Sequence, residues 1–217
     1  MSSATTAPVR RYERHSENQQ ERILSSAESL VDARGIDNPT MADFATAAGI
    51  TRATLYRYYP NKEHVLWGIY NRKMESFARD MAEMDAESGT TYERLKRFLE
   101  RLSKNYRENP ESYRFFTQFY KVYQSATTEP GMETYRQMHG TGFGSGDTVR
   151  MLSKNFHDGS VRADLDPMVT VTSLVYVTLG LLSGVAGYKP GIVAKYHVDD
   201  LQVIDFYVDM FLSYVRA

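Results

Sequence analysis

The stretch from Thr40 to Lys62, TMADFATAAGITRATLYRYYPNK, constrains this chain more than any other. Thr40 is suited to cap a helix beginning at Met41, with Asp43 placed where a carboxylate meets the free amides of a helix N-terminus. Phe44, Ala45 and Ala48 give that helix an inner face. Gly49 permits a sharp turn, Ile50 fills the corner behind it, and Thr51 is suited to cap a second short helix. With Leu55 pointing inward, a repeat of about 3.6 residues puts Thr51 and Tyr59 on its side and Ala53, Thr54, Tyr56 and Arg57 outside. Methyl, hydroxyl, phenol and guanidinium groups suit a DNA major groove better than a protein core. There arginine pairs with guanine, a methyl meets thymine and hydroxyls bind phosphate. Pro60 ends this helix, and Lys62 falls in the first turn of the next, where its ammonium and the helix amides together suit a phosphate. Two core helices with an ordinary polar face are the alternative reading of the same residues.

Upstream, Ile23, Leu24, Ala27, Leu30 and Val31 share one face of a helix expected from Glu17 to Arg34, and Gly35 is placed to stop it. The three helices together make a helix-turn-helix head. Residues 1–15 are small, polar and basic and read as a flexible arm. Arg10, Arg11 and Arg14 in it either reach a DNA backbone or minor groove or belong to a solvated tail. No apolar segment of the signal-peptide kind occurs in MSSATTAPVRRYERHS, so a cytoplasmic location is expected.

Net charge narrows the partners. At −1 overall, the 217-residue chain has no general attraction for nucleic acid, and any DNA affinity is local. The absence of cysteine excludes disulfides and thiolate metal sites, and the five histidines form no i, i+4 pair, so neither a metal nor a cofactor is expected. With no nucleophile motif and no cofactor loop in the right context, an enzyme is not expected either.

The run AAGITRATLYRYYPNKEHVL resembles the recognition segment of the TetR family of bacterial transcriptional regulators, whose pattern includes G-[VI]-[ST]-x-x-T-[LI]-Y-x-[HY]-[FY]-x-x-K. The resemblance covers about fifty residues, from the first helix to the start of the fourth. It implies groove-facing roles for Thr51, Arg52, Ala53 and Thr54, a backbone-contacting role for Tyr56, variable contacts for Arg57 and Tyr58, and phosphate binding for Lys62. With the capping Thr40 these are the candidate DNA-binding residues. Tyr59 stands where the family usually has Phe, and reads as core. The resemblance further implies an all-α fold: an amino-terminal head over residues 16–62 and a larger ligand-binding and dimerisation body over 63–217. It implies a homodimer on a palindromic double-stranded DNA operator, released by a small-molecule inducer, and repression rather than activation. A DNA-binding activator, or a regulator without a small-molecule ligand, is the alternative.

Beyond the head, a linking helix is expected over 61–87, with Val65, Leu66, Ile69, Tyr70 and Phe77 inward and the sole tryptophan, Trp67, along it. Helices over Thr91–Glu108 and Pro110–Thr127 follow, the latter opened by Pro110. Its aromatic residues suit a core or a ligand pocket. Given the family's habit of binding inducers among central helices, Phe116, Phe119, Tyr120 and Tyr123 are the candidate contacts for an aromatic or amphipathic ligand. Gly140, Gly142, Gly144 and Gly146 alternate densely enough to break a helix. They lack a P-loop ending and read as a loop. A helix is expected from Asp147 to Phe156.

Pro167 to Tyr188 carries no charge and is long enough to span a bilayer. Its threonines and serines, and the lack of a basic flank, favour a buried interface over a membrane span. A final amphipathic helix over Val198–Arg216 keeps Asp199, Asp200, Asp205 and Asp209 toward water. These two helices from each subunit would form a four-helix dimer interface, as in TetR-like proteins, with Leu174, Gly180, Leu181, Gly184, Phe206 and Met210 in it.

Overall fold

The computed structural model describes residues 6–85, 88–123, 146–187 and 195–217, and every regular element among them is an α-helix. The chain divides into two compact units, Met1–Arg72 and Lys73–Ala217. The division falls within a helix rather than at Lys62, because the first turns of that helix pack with the head.

In the first unit, α1 spans Thr6–Arg34, α2 Met41–Ala47 and α3 Arg52–Tyr58, and the start of α4 (Lys62–Asp85) completes it. Because α1 begins at Thr6, residues 6–15 of the expected flexible arm are helical. Pro8 sits in the first turn, where its missing N–H costs nothing, and no other Pro or Gly intervenes before Gly35. The side chains of Arg10, Arg11 and Arg14 lie outside the described residues. Ile23, Ala27 and Val31 of α1 are buried with Ile36, Phe44, Ala45, Leu55 and Tyr59. Val65, Leu66, Ile69 and Tyr70 of α4 are buried too. Helices α1 and α4 approach closely at Gly68, where a Cβ would come 2.6 Å from Leu24 Cδ2. One turn further on, Arg72 bonds Glu21 at 2.7 Å and Glu28 at 3.1 Å.

The second unit holds the rest of α4 with α5 (Thr91–Glu108), α6 (Pro110–Tyr123), α7 (Gly146–Ser153), α8 (Pro167–Gly187) and α9 (Asp200–Val215). Helix α5 starts at a reciprocal cap between Thr90 and Glu93 and ends at Asn109, and Pro110 opens α6 directly. Leu95, Phe98, Leu99 and Leu102 of α5 pack with Leu152, Phe156, Val171, Leu174, Leu182, Ile204 and Leu212 in one core. Helix α7 stops at Ser153, short of the expected Phe156, because Asn155 takes a left-handed conformation at φ 49° and turns the chain so that Phe156 enters the core. The loop that follows is fixed at both ends. Asp158 accepts from Thr91 N at 2.6 Å, and Val161 pairs with Arg216 in an isolated bridge that holds the carboxy-terminal residues. Gly140, Gly142 and Gly144 lie outside the described residues, and Gly146 opens α7.

Candidate nucleic-acid interface

Helix α2 begins at a complete capping box: Asp43 N donates to Thr40 Oγ1 at 3.3 Å, and Thr40 N donates to Asp43 Oδ2 at 2.8 Å. These bonds to Thr40 hold the Asp43 carboxyl below the ordinary carboxylate range. The turn between α2 and α3 has Gly49 at φ 65°, a conformation costly for any residue with a Cβ. It closes with Ile50 N donating to Ala45 O at 3.0 Å.

Helix α3 has seven residues, and Leu55 is the buried one among them. Thr51 Oγ1 caps it, accepting from Thr54 N at 3.1 Å and lying 2.9 Å from Thr54 Oγ1. Thr51 is exposed, where helical spacing put it on Leu55's side. The helical repeat does not govern it, because an N-cap residue sits in extended backbone, here at ψ 155°. Arg52, Ala53, Tyr56 and Arg57 are exposed, Thr54 and Tyr58 half-buried. The Arg57 guanidinium lies 5.4 Å from the centroid of the Tyr58 ring. Tyr59 is core: burial pushes its phenol above the usual tyrosine value, with Gln20 opposing.

Lys62 departs from the expected arrangement. Its Nζ donates to the carbonyl of Asp37 at 2.7 Å, tying the loop between α1 and α2 to the start of α4. Burial lowers the ammonium's pKa and the Asp37 carboxylate opposes that. An ammonium has three donors, so this bond leaves capacity for a phosphate while fixing where the group sits. The cap of α4 is Asn61, whose Oδ1 accepts from His64 N at 3.0 Å. Sequence reading missed Asn61 in this role, although an Asn between a Pro and a helix start is itself a capping signal.

In the body, Phe119 is buried, and Phe115 and Phe119 stack with centroids 5.5 Å apart. Tyr120 meets Phe119 edge-on at 6.5 Å, and Phe116 and Tyr120 are half-buried. The side chain of Tyr123 lies outside the described residues. Sequence reading also missed Lys73, which is buried with Nζ 3.1 Å from Ser112 Oγ. Its signal was its register, one turn beyond the inward Ile69 and two beyond Leu66.

Of the six expected dimer residues, Leu174 is corrected: it is fully buried in its own chain's core. It belongs to the inward stripe of α8 with Val171, Val175, Thr178 and Leu182, which is buried within this chain. The opposite stripe carries exposed Val169, Tyr176 and Val177 with Gly180 and Gly184, and open space surrounds both glycines. Leu181 is half-buried. On α9, Phe206 is 71% exposed and Met210 53%. Helix α8 is long and apolar enough to cross a membrane by length and composition, and its inner stripe packs in the body's core.

A capped helix, a tight glycine turn and a second helix anchored by one leucine under a polar, cationic outer face define a helix-turn-helix head of the kind carried by DNA-binding regulators. Residues 23–66 match the family described as "Bacterial regulatory proteins, tetR family". That match lies on the head, so the likeness to this family of regulators is found in the helix-turn-helix segment of the chain. The chain is 32% identical over 104 residues to an uncharacterised HTH-type transcriptional regulator of Mycobacterium tuberculosis, covering 48% of this chain and 52% of that one. It is 31% identical over 89 residues to the HTH-type transcriptional repressor KstR of Mycolicibacterium smegmatis, covering 41% and 44%. The chain thus spans about half the length of the curated relatives it matches.

Solved structures share the fold over nearly the whole chain. A TetR transcription regulator from Haloarcula marismortui superposes with a TM-score of 0.67 at 16% identity, over 93% of this chain and 100% of that one. AibR, solved in complex with isovaleryl coenzyme A and operator DNA, superposes with 0.62 at 22% identity, over 88% and 97%.

Proposed function

We propose that this protein is a ligand-responsive transcriptional repressor that binds a palindromic operator as a homodimer. The observation that carries the reading is the composition of α3's outer face. Arg52, Ala53, Tyr56 and Arg57 stand exposed on a helix held by a single buried leucine. Such a face has little use in packing and matches the donor and methyl pattern that reads a major groove. Thr40, Thr51, Thr54, Tyr58 and Lys62 flank it with hydroxyl, phenol and ammonium donors for phosphate.

One short helix reads few base pairs, so the reading needs two heads. The exposed apolar stripes of α8 and α9, with Gly180, Leu181, Gly184, Phe206 and Met210, supply a face for a second copy. Two heads about 34–36 Å apart then meet successive major-groove turns. An aromatic or amphipathic ligand contacting Phe116, Phe119 and Tyr120 lowers DNA affinity by the ratio of its affinities for the released and bound states. The word repressor in KstR's name, and the presence of both an acyl-coenzyme A and operator DNA with AibR, support this part of the reading.

The test is selection of genomic fragments by the purified dimer at near-physiological salt. Enrichment of a palindromic site is the expected result, and its neighbouring genes then name ligands to try for release. A folded dimer that enriches no sequence overturns the reading. Binding that no small molecule alters reduces it to a regulator without a ligand.

A further inference from the structure

Consecutive residues on a helix do not face each other, because each step turns the side chain by about 100°. Arg57 and Tyr58, the last two residues of α3, nevertheless meet. The Arg57 guanidinium carbon lies 5.4 Å from the centroid of the Tyr58 ring, inside the roughly 6 Å at which an aromatic face attracts a cation. The contact comes from how the two side chains are laid, not from their adjacency in sequence. Arg57 is exposed, whereas Tyr58 is half-buried and is followed by Tyr59, which is buried and donates its N–H to Leu55 O at 2.9 Å. The ring is thus the rooted member of the pair, and the guanidinium is the group it places. A ring face attracts the guanidinium as a charge and is not a lone-pair acceptor of the carboxylate kind. The planar fork of N–H donors therefore stays available for the O6 and N7 of a guanine. Among the described residues, Arg57 rather than Arg52 is the arginine of α3 that has a ring beneath it.

We infer that Tyr58 is a positioning residue for base recognition: its ring holds the Arg57 guanidinium for the base step that Arg57 reads, so two residues set the preference there. This rests on the DNA-reading part of the function proposed above and deepens it by assigning the origin of specificity at one step. A free arginine gives up rotamer freedom when it pairs with a base, and one already resting on a ring has given up part of it beforehand. At an exposed site the ring should be worth about two- to fivefold in preference at that step. The Tyr58 hydroxyl plays no part in this and remains a phosphate donor.

The test is selection from a randomised duplex library by the purified full-length protein, wild type and variants, with preference read at every base step of the enriched site. Tyr58→Leu keeps apolar bulk and removes the ring. It should relax preference about two- to fivefold at one step, the same step that Arg57→Ala relaxes, and leave the other steps unchanged. Tyr58→Phe removes the hydroxyl and keeps the ring, so it should weaken all sequences alike and preserve the preference. In the Arg57→Ala background, Tyr58→Leu should relax that step no further. If Tyr58→Leu fails to fold, Tyr58→Met makes the same comparison. Proton NMR of the free protein reads the contact without DNA: the ring current should shift the Arg57 side-chain protons upfield, and the shift should vanish with the ring. Unshifted protons in the wild type, an unchanged preference in the ring-less variants, or a relaxation in Tyr58→Phe equal to theirs overturns the inference. A wild type that enriches a site while the Tyr58 variants keep its preference overturns the inference alone. A folded wild type that enriches no site overturns the parent reading with it.

Discussion

Leu55→Ala isolates how the recognition helix is held. Leu55 is fully buried and is the buried residue of α3, whose seven residues are too few to stay helical alone. Truncation removes three carbons, worth about 0.8 kcal/mol each in transfer, and leaves a cavity in a small core, so the cost is about 2–5 kcal/mol. That is a large part of the roughly 5–15 kcal/mol that stabilises a whole domain. Because α3 is short and Leu55 is its one buried side chain, with the Thr51 cap and the bond from Tyr59 N to Leu55 O at 2.9 Å at its ends, the loss should appear first as melting of α3. Urea titration followed by Trp67, buried in the same unit, should show a lower midpoint, and operator affinity by fluorescence anisotropy should fall at least about tenfold. Dimerisation by light scattering should be unchanged. Leu55→Met is the control, since a volume-conserving exchange costs under about 1.5 kcal/mol. If Leu55→Ala matched Leu55→Met in both midpoint and operator affinity, the single-anchor account of α3 would be wrong.

Other substitutions separate the remaining roles. Arg57→Ala should relax preference at one base step by about 1–3 kcal/mol, read by competition with single-base operator variants. Lys62→Ala should instead weaken all sequences alike, reduce the salt dependence of binding, and speed amide exchange in the 35–40 loop that its bond to Asp37 O restrains. Phe206→Glu with Met210→Glu puts charge on the exposed face of α9, and should yield a folded monomer in sedimentation with operator affinity reduced by orders of magnitude. Asp158 gives a pH prediction. Burial opposes its ionisation, but bonds from Ser160 Oγ, Ser160 N and Thr91 N outweigh that and hold its carboxyl well below the carboxylate range. Its contribution is therefore complete above the unfolded carboxylate value near pH 4 and is lost as pH falls toward the folded one. Asp158→Asn should flatten the acid limb of the body's stability curve relative to wild type.

The head was legible in the sequence because its signals are local. Thr40 with Asp43, Gly49 and Thr51 each specify backbone geometry within a few residues, and the structure has both caps and the turn where those residues put them. What the sequence did not carry there were contacts across the chain. Lys62 meets Asp37 and Arg72 meets Glu21 and Glu28, and no spacing rule joins such distant positions. The side on which Thr51 lies differs for another reason: it is the cap outside the helix, where helical periodicity does not apply.

The body was harder to read because its most apolar helix gives no internal contrast. Periodicity finds a buried face by the polar residues opposite it. In α8 both stripes are apolar, so Leu174 and Tyr176 look equally suited to a core or an interface, yet one is fully buried and the other 70% exposed. Glycine marks the difference after the fact. Gly180 and Gly184 lie on the open stripe, where an added Cβ would meet nothing of this chain's own core. Lys73 is the same problem inverted. Its charge argues for the surface and its register for the core, and the structure sides with the register. Where a local preference and a periodic position conflict, tertiary contacts decide, and here Ser112 Oγ at 3.1 Å and the Phe115 ring face receive the ammonium inside the body.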